Sequence, residues 1–274
     1  AKEARTERGT ISTYDGVVLA QSVPTEDGTF ERVYPAGDLA CQVVGYSSAR
    51  FGTSGIVQAY NDTLKGKENF ASWTDVLNSF AGIGGAGNDV ALTLNSKIQQ
   101  AAQDALSGET GACVVMDPDT GAVLAMASSP TYDAADFETV IEQANADSSD
   151  TRLINRAIHA LYSPGSTFKI VSLATAPEDG VADENTVYDA PGSMEIGNAD
   201  VVNFDGNSYG RLTLAQATEL SANTAFGQLG VEMGADALVA GAEDFGFNKD
   251  IEFALTLYTS LMPDPDDMTE WETA

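Results

Sequence analysis

The sequence predicts a mixed α+β protein in two parts: a strand-rich first third, then a longer part in which a β-hairpin and several helices alternate. Three observations carry this. Residues 1–91 are rich in Gly, Tyr and Ser and hold short alternating segments such as "GVVLAQS" and "CQVVGYSS", which reads as short strands joined by turns. From residue 92 onward helical periodicity recurs, first in "TLNSKIQQAAQDALSG" and again from Leu212 to about Leu238. Between these helices, two apolar runs flank Asp-Pro-Asp-Thr-Gly, the pattern of a hairpin.

In chain order, Asp15-Gly16 is a turn signal inside the first strand-rich part. "GIGGAGNDV" (82–90) is the loosest-looking stretch and the expected boundary, giving domains 1–91 and 92–274. In the first helix, Ile98, Ala101, Ala102, Ala105 and Leu106 recur at helical spacing, with Asn95 or Ser96 as N-cap and Gly108 past the end. In "GACVVMDPDTGAVLAMASSP", Pro118 suits the first central position of a type I turn and Gly121 the positive φ of a bulge. Both runs are apolar on both faces, so the hairpin is expected at the buried centre of a sheet. A polar, acidic connection (133–151) follows, and 188–210 reads as irregular strands and turns. The second helical stretch breaks near "SAN".

Composition excludes several functions. There are 41 acidic and 13 basic residues among 274, a net charge of −28, a field that repels phosphate backbones and disfavours nucleic acid as a partner. The bland account of this acidity is a solvated surface. No stretch approaches the ~20 apolar residues of a membrane span. His159 is the sole histidine, so histidine triads and zinc sites have little to work with; no metal or organic cofactor is expected. Cys41 and Cys113 form no metal-type cluster. They leave room for one disulfide, and Cys113 reads as a small buried hydrophobe.

One stretch concentrates chemistry. "YSPGSTFKIVSLATA" (162–176) carries a single charge, Lys169, three residues after Ser166. Pro164 and Gly165 should start a helix with Ser166 in its first turn, and a side chain at i+3 lies on the same face. A solvated Lys has a pKa near ~10.4. Desolvation among Phe168, Ile170 and Val171 would lower it and make Lys169 a usable base for Ser166 without histidine. On these four residues alone a snorkelling lysine competes with catalysis. Ser221-Ala222-Asn223 is similarly open on its own terms: Asn223 could cap the next helix and Ser221 could end the previous one.

The longer strings narrow the choice. "YSPGSTFK" resembles the active-site motif of penicillin-binding proteins, the serine DD-transpeptidases of peptidoglycan synthesis; S-x-x-K is a signature shared with β-lactamases. "RGTISTYDGVVLAQS", "GACVVMDPDTGAVLAMASSPTYD" and "LINRAIHALYSPGSTFK" resemble segments of class B penicillin-binding proteins. "YPAGDLACQVVGYSSARFGTSGIVQAYNDTLKG" is similar to the non-catalytic region of the actinobacterial-type subgroup. The resemblance implies a penicillin-binding/β-lactamase-like transpeptidase domain, with helices packed on an antiparallel sheet, behind a smaller strand-rich pedestal. It implies Ser166 as nucleophile and Lys169 as base. Ser221, 55 residues after Ser166, would relay a proton, and Asn223 would bond Lys169 and the substrate amide. Implied partners are peptidoglycan stem peptides, β-lactams as covalent inhibitors, and membrane proteins of cell division or elongation. The implied location is the outer face of the cytoplasmic membrane, through an N-terminal anchor.

One family element is missing from these 274 residues. No K-T-G or K-S-G occurs, and the only lysine after Lys169 is Lys249. By resemblance that strand supplies an oxyanion-hole N–H and recognises the substrate carboxylate, and losing one oxyanion donor costs about 10²–10³ in rate. The expectation is therefore a piece holding the N-terminal portion of the transpeptidase domain, with its activity in isolation left open. Two alternatives stand beside this reading: a class D β-lactamase or β-lactam sensor, which also uses S-T-F-K, and a non-catalytic cell-wall scaffold that keeps the fold.

Overall fold

A computed structural model describes residues 6–66 and 86–274. The chain forms two compact units: residues 1–160 with 253–256, and residues 161–252 with 257–274. Of the predicted boundary segment 82–90, residues 82–85 lie outside the described residues.

In the first unit, strands β1 (Ile11–Ser12), β2 (Val18–Pro24) and β3 (Phe30–Val33) form an antiparallel meander, and β6 (Val90–Ala91) adds in parallel to β1. The Asp15-Gly16 turn closes β1 onto β2, with Thr13 N donating to Val17 O at 3.0 Å. "CQVVGYSS", expected as a strand, instead starts with a helical turn, α1 (Cys41–Val44), before the short pair β4 (Ser47–Ser48) and β5 (Gly52–Thr53). The reason is burial on all sides: every residue of α1 is buried, so period-2 alternation has no solvent face to serve. Helices α2 (Gly55–Ala59) and α3 (Asn61–Leu64) follow.

Helix α4 (Ser96–Ala105) forms where its periodicity placed it, with Asn95 Oδ1 accepting from the amides of Lys97 and Ile98. Its buried face differs from the expected one. Ala101 and Ala105 are exposed, whereas Gln99, Ala102 and Gln103 are buried. The glutamines are tolerated inside because the backbone needs them. Gln99 Oε1 accepts from Met126 N at 2.8 Å and its Nε2 donates to Met126 O at 3.1 Å. Gln103 Oε1 accepts from Ala40 N at 2.9 Å.

The predicted hairpin is β7 (Gly111–Met116) and β8 (Val123–Ser129). Gly121 has φ 72° and the register shifts at Val115/Met116, as bulge chemistry requires. Full burial is not observed. Ala125 and Ala127 pack with Ala102 of α4, flanked by Cys113 and Val115, but Val114 and Met116 on the opposite face of β7 are 44% and 54% exposed. The two cysteines are free: Cys41 is buried and Cys113 partly so. The acidic connection also holds more structure than expected: α5 (Phe137–Ala146) buries Val140 and Ile141, and Phe137 stacks on Tyr46 at 5.2 Å. Helix α6 (Arg156–His159) closes this segment.

In the second unit, helix α7 (Lys169–Glu178) is entered through a 3₁₀ turn, Gly165–Phe168. Strand β9 (Val187–Ala190) pairs with β12 (Gly210–Thr213), and β10 (Ser193–Ile196) with β11 (Ala199–Val202), both antiparallel. The second helical stretch begins at Leu214 rather than Leu212, since Leu212 and Thr213 belong to β12. It splits into α8 (Leu214–Glu219), opened by a Thr213/Gln216 capping box, and α9 (Asn223–Asp244), kinked at Gly234. Helix α10 (Glu270–Thr273) ends the chain's secondary structure. The core gathers Ala176 from α7, Tyr188 and Ala190 from β9, Leu214 and Ala217 from α8, and Ala225, Phe226 and Leu229 from α9.

Candidate active site

The break between α8 and α9 is a built feature. Ser221 N donates to Thr218 O at 3.1 Å, and Ala222 N donates to Ala217 O at 2.8 Å. These two bonds are the Schellman closure of a helix C-terminus. The closing residue in that motif takes left-handed backbone, and here it is Ser221, at φ 52°. Glycine usually fills such a position; a side chain there costs about 1–2 kcal/mol. The compensation is visible: this turn aims both the carbonyl and the hydroxyl of Ser221 at one point.

That point is the ammonium of Lys169. Lys169 Nζ donates to Ser221 O and to Ser221 Oγ, each at 2.9 Å, and to Asn223 Oδ1 at 2.6 Å. Ser166 Oγ lies 3.3 Å from the same nitrogen. All four residues singled out in the sequence are thus brought together around one atom. Ser166 sits in the exposed 3₁₀ turn, whose Thr167 hydroxyl donates to Pro164 O at 2.6 Å. Ser166 and Lys169 lie on one face, as the i+3 spacing predicts.

Asn223 does not cap a helix with its side chain. Its Nδ2 donates to Val202 O at 2.8 Å, which turns Oδ1 toward Lys169. Burial lowers the Lys169 pKa from its ordinary value of 10.5. The source of that burial differs from expectation. Ile170 is 60% exposed, because one helical step rotates it about 100° from Lys169. Val171 is buried, and the Phe226 ring of α9 has its centroid 5.3 Å from Nζ.

Sequence reasoning missed the carbonyl of Ser221, the ring of Phe226 and the carbonyl of Val202. Val202 comes from a strand distant in sequence, so no local pattern announces it. Phe226 lies three residues after Asn223 on the same helix, a spacing that puts both on one face and was the available signal. Left-handed backbone at Ser221 has no glycine to signal it. Among the described residues no group of His, Cys, Asp and Glu is placed to hold a metal ion. The arrangement suits proton transfer between a hydroxyl and an amine of lowered pKa, followed by attack of the hydroxyl oxygen on a carbonyl carbon.

Residues 111–271 match the penicillin binding protein transpeptidase domain family, and residues 8–90 match the penicillin binding protein A dimerisation domain. The peptidoglycan D,D-transpeptidase PbpA of Mycolicibacterium smegmatis is 35% identical over 260 residues, covering 88% of this chain and 52% of that protein. The chain therefore spans about half the length of this curated relative. Among solved structures, the D,D-transpeptidase domain of a peptidoglycan glycosyltransferase from Eggerthella lenta superposes with a TM-score of 0.90 at 67% identity, covering 98% of this chain and 61% of that one. Penicillin-binding protein A of M. tuberculosis, as its imipenem acyl-enzyme, gives a TM-score of 0.88 at 31% identity, over 99% of this chain and 66% of that one.

Proposed function

Given that the chain belongs to the penicillin-binding protein transpeptidase family, we propose that it is a penicillin-sensitive serine D,D-transpeptidase that cross-links peptidoglycan stem peptides through an ester on Ser166. The observation that carries this is the convergence of Ser166, Ser221 and Asn223 on Lys169 Nζ.

Neutral Lys169 takes the proton of Ser166 Oγ as that oxygen attacks the carbonyl carbon of the penultimate D-Ala. The resulting oxyanion is held by backbone N–H groups, that of Ser166 among them. The carbon–nitrogen bond then breaks. D-Ala leaves with a proton passed from Lys169 through Ser221 Oγ, and the acyl group stays on Ser166. An amine of a second stem peptide attacks this ester, and its proton returns to Ser166 as the ester bond breaks. Asn223 holds Lys169 through Oδ1 and faces the substrate amide. A β-lactam enters the same first step, but its leaving nitrogen stays tethered, so the acyl-enzyme persists.

We place the domain boundary at 91/92, a division supported by family matches on either side of it. We place the protein at the outer face of the cytoplasmic membrane, where peptidoglycan is cross-linked, with division or elongation proteins as partners. Among the described residues no helix is long and apolar enough to cross a membrane.

Intact mass spectrometry of the complete protein after incubation with benzylpenicillin tests the activity. One adduct of the drug's mass is expected on Ser166, stable over many minutes and absent in Ser166→Ala. An adduct elsewhere overturns the site, rapid turnover of the drug favours a β-lactamase, and no adduct favours a scaffold.

A further inference from the structure

Helix α9 opens with the S-x-N segment, yet its N-cap residue, Ala222, has no side chain able to cap it. The first-turn amides of a helix need acceptors. The acceptor here comes from 21 residues earlier. Asn203, which follows β11 and is 3% exposed, accepts through Oδ1 from Thr224 N at 3.0 Å and from Thr224 Oγ1 at 3.2 Å. Its Nδ2 donates to Pro191 O and to Asn207 O, each at 2.9 Å. These contacts fix the amide in one orientation, since exchanging O and N would set donor against donor and acceptor against acceptor. Asn203 N donates to Gly192 O at 3.0 Å, and the single Thr224 hydroxyl proton is shared between Asn203 Oδ1 and Pro191 O, which lies 3.0 Å from Oγ1. Asn203 is therefore immobilised from both sides.

The neighbours of this clamp are the active-site residues. Val202, adjacent to Asn203, accepts through its carbonyl oxygen from Asn223 Nδ2, and Thr224, adjacent to Asn223, is held by Asn203. Two consecutive residues of one segment thus grip two consecutive residues of the other. The position of Asn223 Oδ1, and with it the geometry of Lys169, depends on that grip. We propose that Asn203 is a positioning residue for the Ser166–Lys169 site, acting as a remote N-cap that fixes the S-x-N segment. It touches neither nucleophile nor base, and its effect passes through Thr224 and Asn223. The inference rests on Ser166 being the acylated residue.

The test measures acylation of the complete protein by benzylpenicillin, separating the dissociation constant of the initial complex from the rate constant of the covalent step. A displacement of reacting groups by about 1 Å can cost on the order of 10²-fold. Asn203→Ala is expected to lower the covalent rate constant by about 10–100-fold with little change in the dissociation constant, at temperatures well below its Tm. Asn203→Asp keeps the acceptor for Thr224 but sets a carboxylate oxygen against Pro191 O and Asn207 O, and is expected to recover part of the rate at a reduced Tm. Thr224→Val, which replaces the bridging hydroxyl by a methyl, should also slow the covalent step; it decides the matter if Asn203→Ala does not fold. Wild-type covalent rates in Asn203→Ala, or in Thr224→Val where that variant decides, overturn the proposal, because a purely structural residue would move Tm alone. Equal rate losses in Asn203→Asp and Asn203→Ala also overturn it. Failure of the wild-type protein to be labelled at Ser166 removes the functional reading itself, an outcome separate from wild-type rates in the variants.

Discussion

Lys169 has acceptors for every ammonium proton and a partly buried nitrogen, two influences of opposite sign. Bonds to Ser221 O, Ser221 Oγ and Asn223 Oδ1 favour the charged form; burial disfavours it, and the net direction is downward. Acylation should therefore rise with pH through the Lys169 pKa, with its midpoint below the ordinary lysine value; a midpoint at or above that value in a pH–rate profile would contradict the assignment of Lys169 as base. Lys169→Arg separates charge from basicity. Arginine keeps positive charge and donors but does not deprotonate in proteins, so the acylation rate should fall by about 10²–10⁴ while near-ultraviolet circular dichroism stays native. Most of this residue-scale picture was legible in sequence, because S-x-x-K encodes its own geometry through helical spacing. Its surroundings were not: Ile170 turned outward, and Phe226 came from another helix.

At the scale of elements, the two motif-bearing helices meet at a point with no room to spare. A Cβ built on Gly241 of α9 would lie 1.9 Å from Thr175 Oγ1 of α7, so the glycine is there to let the helices approach. Gly241→Ala should destabilise the fold by about 1–3 kcal/mol, read as a lower midpoint in urea, and should slow acylation as α7 and α9 separate. Adding Thr175→Ala should recover part of the loss; strict additivity of the two changes would show that the contact is not the cause. Legibility at this scale followed the range of the forces. The β7–β8 hairpin was readable because Asp-Pro-Asp-Thr-Gly is local turn chemistry, and α4 because its cap is a neighbour. The buried face of α4 was misread because Gln99 and Gln103 are drawn inward by backbone groups of residues far along the chain. The same holds for α1, where complete burial removed the strand alternation that "CQVV" suggested.

For the whole molecule, the dominant feature is charge. A net charge of −28 on 274 residues repels itself, and compactness raises that repulsion above its value in the unfolded chain. Salt screens it, with a Debye length of about 30 Å at 0.01 M and 10 Å at 0.1 M. Tm should therefore climb by several degrees between low-salt buffer and about 0.5 M NaCl, measured by calorimetry at neutral pH; a flat or falling curve would show that the acidic groups are already offset in the fold. Composition spoke at this scale only by disfavouring nucleic acid as a partner. The α+β class and the family came from strings of residues, not from percentages.

The left-handed turn at Ser221 also restricts which amino acids the position accepts. Its backbone carbonyl serves Lys169 whatever side chain is attached, so glycine would keep that contact, relieve the strain and forfeit the hydroxyl that faces Lys169. Threonine would keep a hydroxyl, but its β-branch fits poorly where φ is 52°. Of the two short hydroxyl side chains serine is the one without a β-branch, so the turn favours serine wherever a hydroxyl is to face Lys169.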